Sequence, residues 1–189
     1  RHPGGDHVGH PQGGLVCAWH GTALTHAVNR VRIYHRAQQV LPDAIQTVGL
    51  RGLAMSTGQL RHLLFGLLLG DESRGAVMLE LARQAVDAIQ QQGLAYFDGA
   101  TRSRGVLSGD APTHYEAWQH LSPDAERGRV AGCREWMDAA QDGLAPGRWH
   151  RLETAWRERV YLTHEIGQNA WLAVLPTARL VVYGWRDRG

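Results

Sequence analysis

The chain has 189 residues, a length that fits one domain or one domain with a small appendage. Hydrophobic residues make up 43% of the chain and charged residues 20%, which excludes wholesale disorder and predicts a substantial core. The formal net charge of +2 is too small to indicate nucleic-acid binding by itself, although all 20 basic residues are Arg, a residue that suits anionic partners.

The N-terminal part of the chain is predicted to consist of an arm, a strand and a helix. Residues 1–14 are rich in Gly, His and Pro and predict a flexible arm, followed by a single globular domain over 15–189. The apolar run 15–19 predicts a buried strand. Apolar residues then recur at intervals of three and four, which predicts a helix that begins at Thr22 and ends near Pro42.

The middle of the chain combines apolar stretches with glycines. We expect a short helix within 41–53, followed by turns at two glycines of that segment. One apolar face over 75–92 predicts a helix that Gly93 stops. Residues 94–97 are predicted to form a short strand, and the many small polar residues of 98–114 predict a loop.

The C-terminal part shows a change of period. Ser122 and Pro123 predict a helix start, with the helix running to about Gln141. Apolar residues between Trp149 and Val160 predict another helix. The β-branched and aromatic stretches 171–175 and 180–185 predict an antiparallel β-hairpin around a turn. The sequence therefore predicts a helix-rich α+β domain with an N-terminal strand and a C-terminal β-hairpin.

The segment His20-Gly21-Thr22 is the first candidate for a functional site. It lies between the predicted strand and the predicted helix, a kind of corner where ligands are often held. Gly21 allows a planar ligand to approach the backbone. His20 can hydrogen-bond a sugar hydroxyl, and Thr22 can contact the ligand while it caps the helix.

With Ile45, Gly49-Leu50 and Tyr96 downstream, the chain resembles the ADP-ribosyltransferase superfamily. Its tRNA 2'-phosphotransferase branch is the most similar one. The segments that carry the likeness to that branch are Arg61-His62, Arg74-Gly75, Gly93 with Tyr96, Ser103 and Gly105-Val106-Leu107. Differences are the long interval between Thr22 and Ile45, the adjacency of Arg61 and His62, the absent N-terminal lobe, and a predicted helix over 76–92 where the family has a strand.

The resemblance implies an NAD-dependent transferase acting on a protein or nucleic-acid substrate. It places His20 on the nicotinamide ribose, Gly21 on the carboxamide and Arg61 on a phosphate, with Tyr96 stacked on the nicotinamide ring. Such a transferase also needs an acidic residue late in the chain to orient the ribose. Glu165 is our first choice for that acid and Glu153 the second.

The N-terminal region also allows a zinc site. Its four potential ligands lie within fourteen residues: His7, His10, Cys17 and His20. His-rich arms also bind metal incidentally, so zinc is an alternative and not the main prediction. The two cysteines, Cys17 and Cys133, do not form a disulfide framework, which favours a reducing, cytoplasmic compartment. The apolar run 63–69 is too short to cross a bilayer, so we expect no membrane segment.

A non-catalytic interpretation accounts for the same residues. His20 would then be a surface or capped histidine, Tyr96 a core residue and Glu165 a solvated strand end. On the predicted N-terminal helix Arg32, His35 and Arg36 share one face, which could contact phosphates. The alternative function is therefore a helical nucleic-acid-binding or assembly subunit from a bacterial mobile element. The sequence predicts no oligomeric state.

Overall fold

A computed structural model of the chain describes residues 30–55, 74–105, 112–121 and 146–186. The chain divides into two compact units, Arg1–Ile33 and Tyr34–Gly189, and nearly all described residues belong to the second. The predicted arm and the predicted strand lie outside the described residues. The limits predicted for the arm and the domain therefore stay predictions.

The second unit is built on a six-stranded antiparallel sheet. Its strand order is β1-β2-β6-β5-β4-β3, so β6 pairs with β2 on one side and with β5 on the other. The strands are β1 (Thr47–Met55), β2 (Arg74–Leu81), β3 (Gln119–Leu121), β4 (Val160–His164), β5 (Ala170–Leu175) and β6 (Leu180–Arg186).

Three α-helices and one short 3₁₀ helix belong to the described residues. The helices are α1 (30–40), α2 (Arg83–Gln92), α3 (Pro146–Trp156) and the 3₁₀ helix Gly93–Phe97. Helix α1 ends two residues before Pro42. Proline has no backbone N–H and a fixed φ, so a helix is expected to end close to it. Of the helices in the described ranges, none has the length and apolar character needed to cross a membrane.

The prediction of a helix-rich domain is wrong, because a six-stranded sheet dominates the described residues. The error is clearest over 75–92, where β2 occupies the first half and α2 begins only at Arg83. Residues 75–79 are all buried, so β2 is apolar on both of its faces. A short run of this kind has no alternation that would distinguish a strand from a buried helix.

Two smaller predictions are also wrong. The segment 41–53 contains no helix: Gly49 and Gly52 lie inside β1, next to the two points where the β1–β2 register shifts. Glycine inside a strand often marks such a bulge or irregularity. Residues 94–97, predicted to be a strand, belong to the 3₁₀ helix that follows Gly93.

Two C-terminal predictions agree with the structure. The hairpin is confirmed: Trp171 pairs with Gly184 and Leu175 with Leu180, around a four-residue turn that begins at Pro176. Helix α3 covers most of the predicted helical stripe, but it ends at Trp156, and Val160 starts β4. The predicted helix from Ser122 to about Gln141 lies outside the described residues.

Both faces of the sheet are covered. On one face α3 buries Leu152 and Ala155 in a cluster with alternate residues of β2, β4, β5 and β6. On the opposite face Phe97 stacks on Trp118, with 4.4 Å between ring centroids, and contacts Tyr161 of β4 at 4.9 Å. This second face carries the loops around Pro42 and 98–105, where the candidate site lies.

Two glycines of the sheet are each covered by a tryptophan of the neighbouring strand. Gly184 is paired with Trp171, and Gly75 is paired with Trp185. A Cβ atom built at either glycine would overlap the paired indole ring. Gly184 lies opposite Ala76, the residue next to Gly75 on β2. Because successive residues of a strand point to opposite faces, the two glycine–tryptophan pairs lie on opposite faces of the sheet.

Candidate functional site

A cavity of about 380 Å³ opens between the loop after α1 and the loop after the 3₁₀ helix. We call it the arginine cavity. Its size falls within the range of roughly 300–1,000 Å³ that is typical of ligand pockets. Its lining residues are Pro42, Asp43, Ala44, Asp98, Gly99, Ala100, Arg102, Ser103, Arg104 and Pro112.

Arg104 joins the two loops that form the cavity. Its Nη2 donates to the carbonyl oxygens of Ile45 at 2.5 Å and Asp43 at 3.3 Å. Its Nε lies 3.5 Å from the carboxylate of Asp43, which is largely exposed. A guanidinium group held by several acceptors keeps a defined orientation, so Arg104 presents a fixed positive charge to the cavity.

The lining carries equal numbers of opposite charges. Arg102 and Arg104 supply two guanidinium groups, and Asp43 and Asp98 supply two carboxylates. Arg102 and both aspartates are exposed. Such a lining suits a ligand that combines anionic groups with hydroxyls or a positive charge, more than it suits a simple anion.

Tyr96 lies directly behind one wall of the arginine cavity. Its hydroxyl donates to the carbonyl oxygen of Ala44, and its ring packs edge-on against Phe97 at 5.1 Å. Burial raises the pKa of the Tyr96 hydroxyl, and the nearby charge of Arg104 partly opposes that rise. Tyr96 is half-buried, and its side chain supports the wall that Ala44 contributes.

Glu165, directly after β4, has a half-buried carboxylate held by groups from two other segments. Tyr183 of β6 donates its hydroxyl hydrogen to the carboxylate at 3.2 Å, and Thr113 makes a second hydrogen bond to it. The backbone of Glu165 also forms an isolated β-bridge with Tyr115. We call these four residues the Glu165 cluster.

The Glu165 cluster is connected to the arginine cavity through two backbone segments. The N–H of Ser103, which lines the cavity, donates to the carbonyl oxygen of Thr113 at 2.9 Å. The N–H of Thr113 in turn donates to the Ser103 hydroxyl oxygen at 2.9 Å. Thr113 thus bonds both the cavity wall and Glu165, which leaves Tyr96 behind one wall and Glu165 behind another.

Burial determines the acid–base state of the Glu165 cluster. It raises the pKa of the Glu165 carboxyl, while the hydrogen bonds from Tyr183 and Thr113 act in the opposite direction. Burial also raises the pKa of Tyr115, whose hydroxyl donates to the carbonyl oxygen of Val40 at 2.6 Å. Tyr115 therefore stays neutral at ordinary pH, and Glu165 is the carboxylic acid of the cluster.

Replacing Tyr183 by Phe should raise the pKa of Glu165 further. The change removes a donor that stabilises the charged carboxylate, while the ring stays in place against Trp185, 5.7 Å away. The pKa can be followed by NMR titration of the Glu165 side-chain carboxyl carbon. Tyr34→Phe is the matched control, because that hydroxyl bonds Thr47 and not Glu165. An unchanged Glu165 pKa in Tyr183→Phe would contradict the described hydrogen bond.

Tyr96 and Glu165 are the described members of the predicted site. His20, Gly21, Thr22 and Arg61 lie outside the described residues, as do the zinc candidates His7, His10 and Cys17. The second-choice acid, Glu153, lies on α3 and forms an ion pair with Arg157 at 2.7 Å. Within 30–55, 74–105, 112–121 and 146–186, no group of three or more His, Cys, Asp or Glu could hold a metal ion.

Sequence reasoning missed the residues that form the arginine cavity. Arg102 and Arg104 lie in the predicted loop, and two arginines flanking Ser103 were the available signal there. Nothing in the sequence pairs them with Asp43, because the contact joins segments about 60 residues apart. The sequence also predicts Tyr183 only as a hairpin residue. Its contact with Glu165 depends on how β4, β5 and β6 pair.

Comparisons of the chain with protein-family models, with curated protein sequences and with solved structures gave no significant match. Function is therefore inferred from the residues and their arrangement.

Proposed function

We propose that the chain is an NAD-dependent transferase of the ADP-ribosyl type that binds the dinucleotide in the arginine cavity. NAD, when bound, supplies the ADP-ribosyl group and releases nicotinamide. The supporting observation is that Tyr96 and Glu165, two residues predicted for this chemistry, lie behind two walls of a single cavity. His20, Gly21, Thr22 and Arg61 enter the proposal from the sequence motif.

The lining of the arginine cavity fits the chemistry of NAD. The dinucleotide carries a negatively charged pyrophosphate, ribose hydroxyls and a positively charged nicotinamide ring. Arg102 and Arg104 complement the pyrophosphate, because guanidinium groups bind phosphate oxygens in pairs. Asp43 and Asp98 complement the hydroxyls and the positive ring. A lining that carries both signs of charge suits a ligand that does so too.

The Glu165 cluster supplies the acidic residue of the proposed reaction. The proposed path of the ligand runs past Pro112, which lines the cavity and directly precedes Thr113, the residue that bonds Glu165. There the carboxylate of Glu165 would accept a hydrogen bond from a ribose hydroxyl and would stabilise the positive charge that develops on the ribose. Tyr183 and Thr113 hold the carboxylate in place, which keeps it oriented before the ligand arrives.

Strand β2 removes one of the differences between this chain and the superfamily it resembles. A helix was predicted over 76–92, where the family has a strand. In the structure the first part of that stretch is strand β2, which ends at Leu81. The strand favours the resemblance as a guide to function, although the interval between Thr22 and Ile45 still differs.

Arg102→Gln should weaken NAD binding about 10- to 100-fold, because a charged hydrogen bond to phosphate contributes roughly 1.5–3 kcal/mol. Binding can be measured by intrinsic tryptophan fluorescence during NAD titration. Trp118 is a suitable reporter, since its indole N–H donates to the carbonyl oxygen of Ala100, which lines the cavity.

The matched control is Arg83→Gln, which removes the same charge from an exposed position at the start of α2. We expect Arg83→Gln to bind NAD as the wild type does. Trp118→Phe should remove most of the fluorescence change without abolishing binding, which calorimetry can check. Wild-type protein that binds no NAD in calorimetry would refute the proposed function.

The exposed arginines of α1 favour the second candidate function. Arg32, His35 and Arg36, predicted to share a face, are all exposed on this helix. Such a face could contact the phosphates of a nucleic acid. The predicted helix-rich fold, which was part of this alternative, is wrong. Salt-dependent binding of duplex DNA without any NAD binding would favour this candidate over the transferase.

A further inference from the structure

We propose that two arginines paired with Glu80, together with a third arginine bonded to the backbone of one of them, form a binding site for a phosphate-bearing small molecule. The three are Arg51 of β1, Arg148 of α3 and Arg179 of the turn between β5 and β6, and we call them the Glu80 cluster. Other residues line the arginine cavity, so this site is separate from it and does not depend on the proposed transferase function.

Glu80 holds two of the guanidinium groups side by side. Its Oε2 is paired with Arg51, and its Oε1 lies 3.1 Å from Nη2 of Arg179. The Glu80 side chain is only 17% exposed, whereas those of Arg51 and Arg179 are 55% and 41% exposed. The carboxylate therefore lies beneath the two guanidinium groups, which remain accessible to a ligand.

Arg148 adds the third guanidinium group to the cluster. Its Nη1 donates to the backbone carbonyl oxygen of Arg51 at 2.5 Å, which brings the start of α3 against β1. The Arg148 residue is exposed. The positive charge of Arg148 therefore lies next to Arg51, whose own side chain pairs with Glu80.

The charge of the Glu80 cluster matches a phosphate monoester. Three guanidinium groups and one carboxylate leave a formal charge of +2. A phosphate monoester carries about −1.5 to −2 near pH 7 and offers three acceptor oxygens. Guanidinium groups bind such oxygens in a bidentate manner, so a phosphate is better matched here than a singly charged carboxylate.

Arg179 is kept at a position where its backbone is strained. Its φ is +55°, a left-handed conformation that favours glycine at the end of a hairpin turn. Its Nε is buried and has no hydrogen-bond partner in the part of the chain that the structure describes. Arg51 already pairs with Glu80, so the ion pair alone does not require Arg179. Strained residues cluster at functional sites, which supports a binding role for this side chain.

The test is a titration with inorganic phosphate, with ribose 5-phosphate and with ribose, followed by NMR or calorimetry. Wild-type protein should bind both phosphates and not ribose. Arg179→Gly should lose at least about tenfold in phosphate affinity, because one of the charged bidentate contacts is gone. Its Tm should be equal to or higher than that of the wild type, because glycine relieves the strain at this φ.

Arg83→Gln again serves as the charge-matched control and should bind phosphate as the wild type does. Arg102→Gln removes a guanidinium group of the arginine cavity and measures how much of the phosphate binds there; we expect it to lose less affinity than Arg179→Gly. The proposal is overturned if the wild type binds no phosphate, or if either control loses as much affinity as Arg179→Gly. A clearly lowered Tm in Arg179→Gly would also overturn it, since the side chain would then serve the fold alone.

Discussion

Glu165→Gln should lower the rate of ADP-ribosyl transfer by about 100-fold or more, with NAD affinity changed far less. Glutamine keeps the shape of the side chain and can still accept a hydrogen bond, but it lacks the negative charge. In the proposed role that charge acts on the positive charge that develops during transfer, not on the bound ground state. Nicotinamide release measured by chromatography, beside NAD affinity from calorimetry, separates the two effects.

Glu153→Gln is the matched control, because the same change is made at the other acid considered for this role. Glu153 is tied to Arg157 on the surface of α3, so we expect its substitution to leave transfer unchanged. His20→Ala should abolish transfer, since a ribose hydrogen bond is lost. A large loss in Glu153→Gln, together with normal transfer in Glu165→Gln, would assign the acid to α3 and refute our choice.

The proposed role of Glu165 also predicts how transfer depends on pH. The carboxylate must be ionised to act, so the rate should rise with pH through the pKa of Glu165. Because burial holds that pKa above its ordinary value, the rise should come at higher pH than for an exposed glutamate. The folding contribution has the opposite sign: stability linked to this group is present at low pH and lost as pH rises through the raised pKa.

Gly184→Ala should destabilise the fold by about 1–3 kcal/mol, the usual cost of overpacking a core. The new Cβ atom would overlap the indole of Trp171. That indole is only 7% exposed and packs edge-on against Trp156 at 6.1 Å, so it has little room to move. Thermal unfolding should show a Tm lower by roughly 2–4 °C for each kcal/mol lost.

Gly49→Ala is the control, because a Cβ atom at Gly49 would meet no other atom within 4 Å. We expect it to be neutral or slightly stabilising, as the change reduces the freedom of the unfolded chain. Trp171→Leu combined with Gly184→Ala should cost less than the two changes summed, since the smaller side chain leaves space for the methyl group. Additive losses would show that the Gly184 effect does not arise from Trp171.

Local signals account for the elements that the sequence predicts correctly. The hairpin is formed by neighbouring segments, and its alternation and turn residues lie within fifteen residues of one another. The stop at Gly93 is equally local, since glycine there takes a φ of +61° after α2. Helix α3 follows a clear stripe of apolar residues, although the period alone does not show that it ends at Trp156.

Long-range pairing accounts for the elements that sequence analysis misassigned. Strands β1 and β2 are strands because they pair with each other and because β2 pairs with β6, about 100 residues later. The arginine cavity has the same origin, since Arg104 meets Ile45 only once the chain has folded. The resemblance to the ADP-ribosyltransferases predicts Glu165 and Tyr96 as site residues. It does not predict the Ser103–Thr113 contact, which places Glu165 behind the same cavity as Tyr96.

The position of β6 between β2 and β5 constrains how the protein is made. During synthesis β2 leaves the ribosome about 100 residues before its partner, Leu180–Arg186, has been translated. At roughly 5–20 residues per second, one edge of the β1–β2 pair waits about 5–20 seconds for its neighbour. An apolar strand with an open hydrogen-bonding edge pairs readily with other chains in that interval. Nascent-chain aggregation should therefore depend on how fast the segment between β2 and β6 is translated.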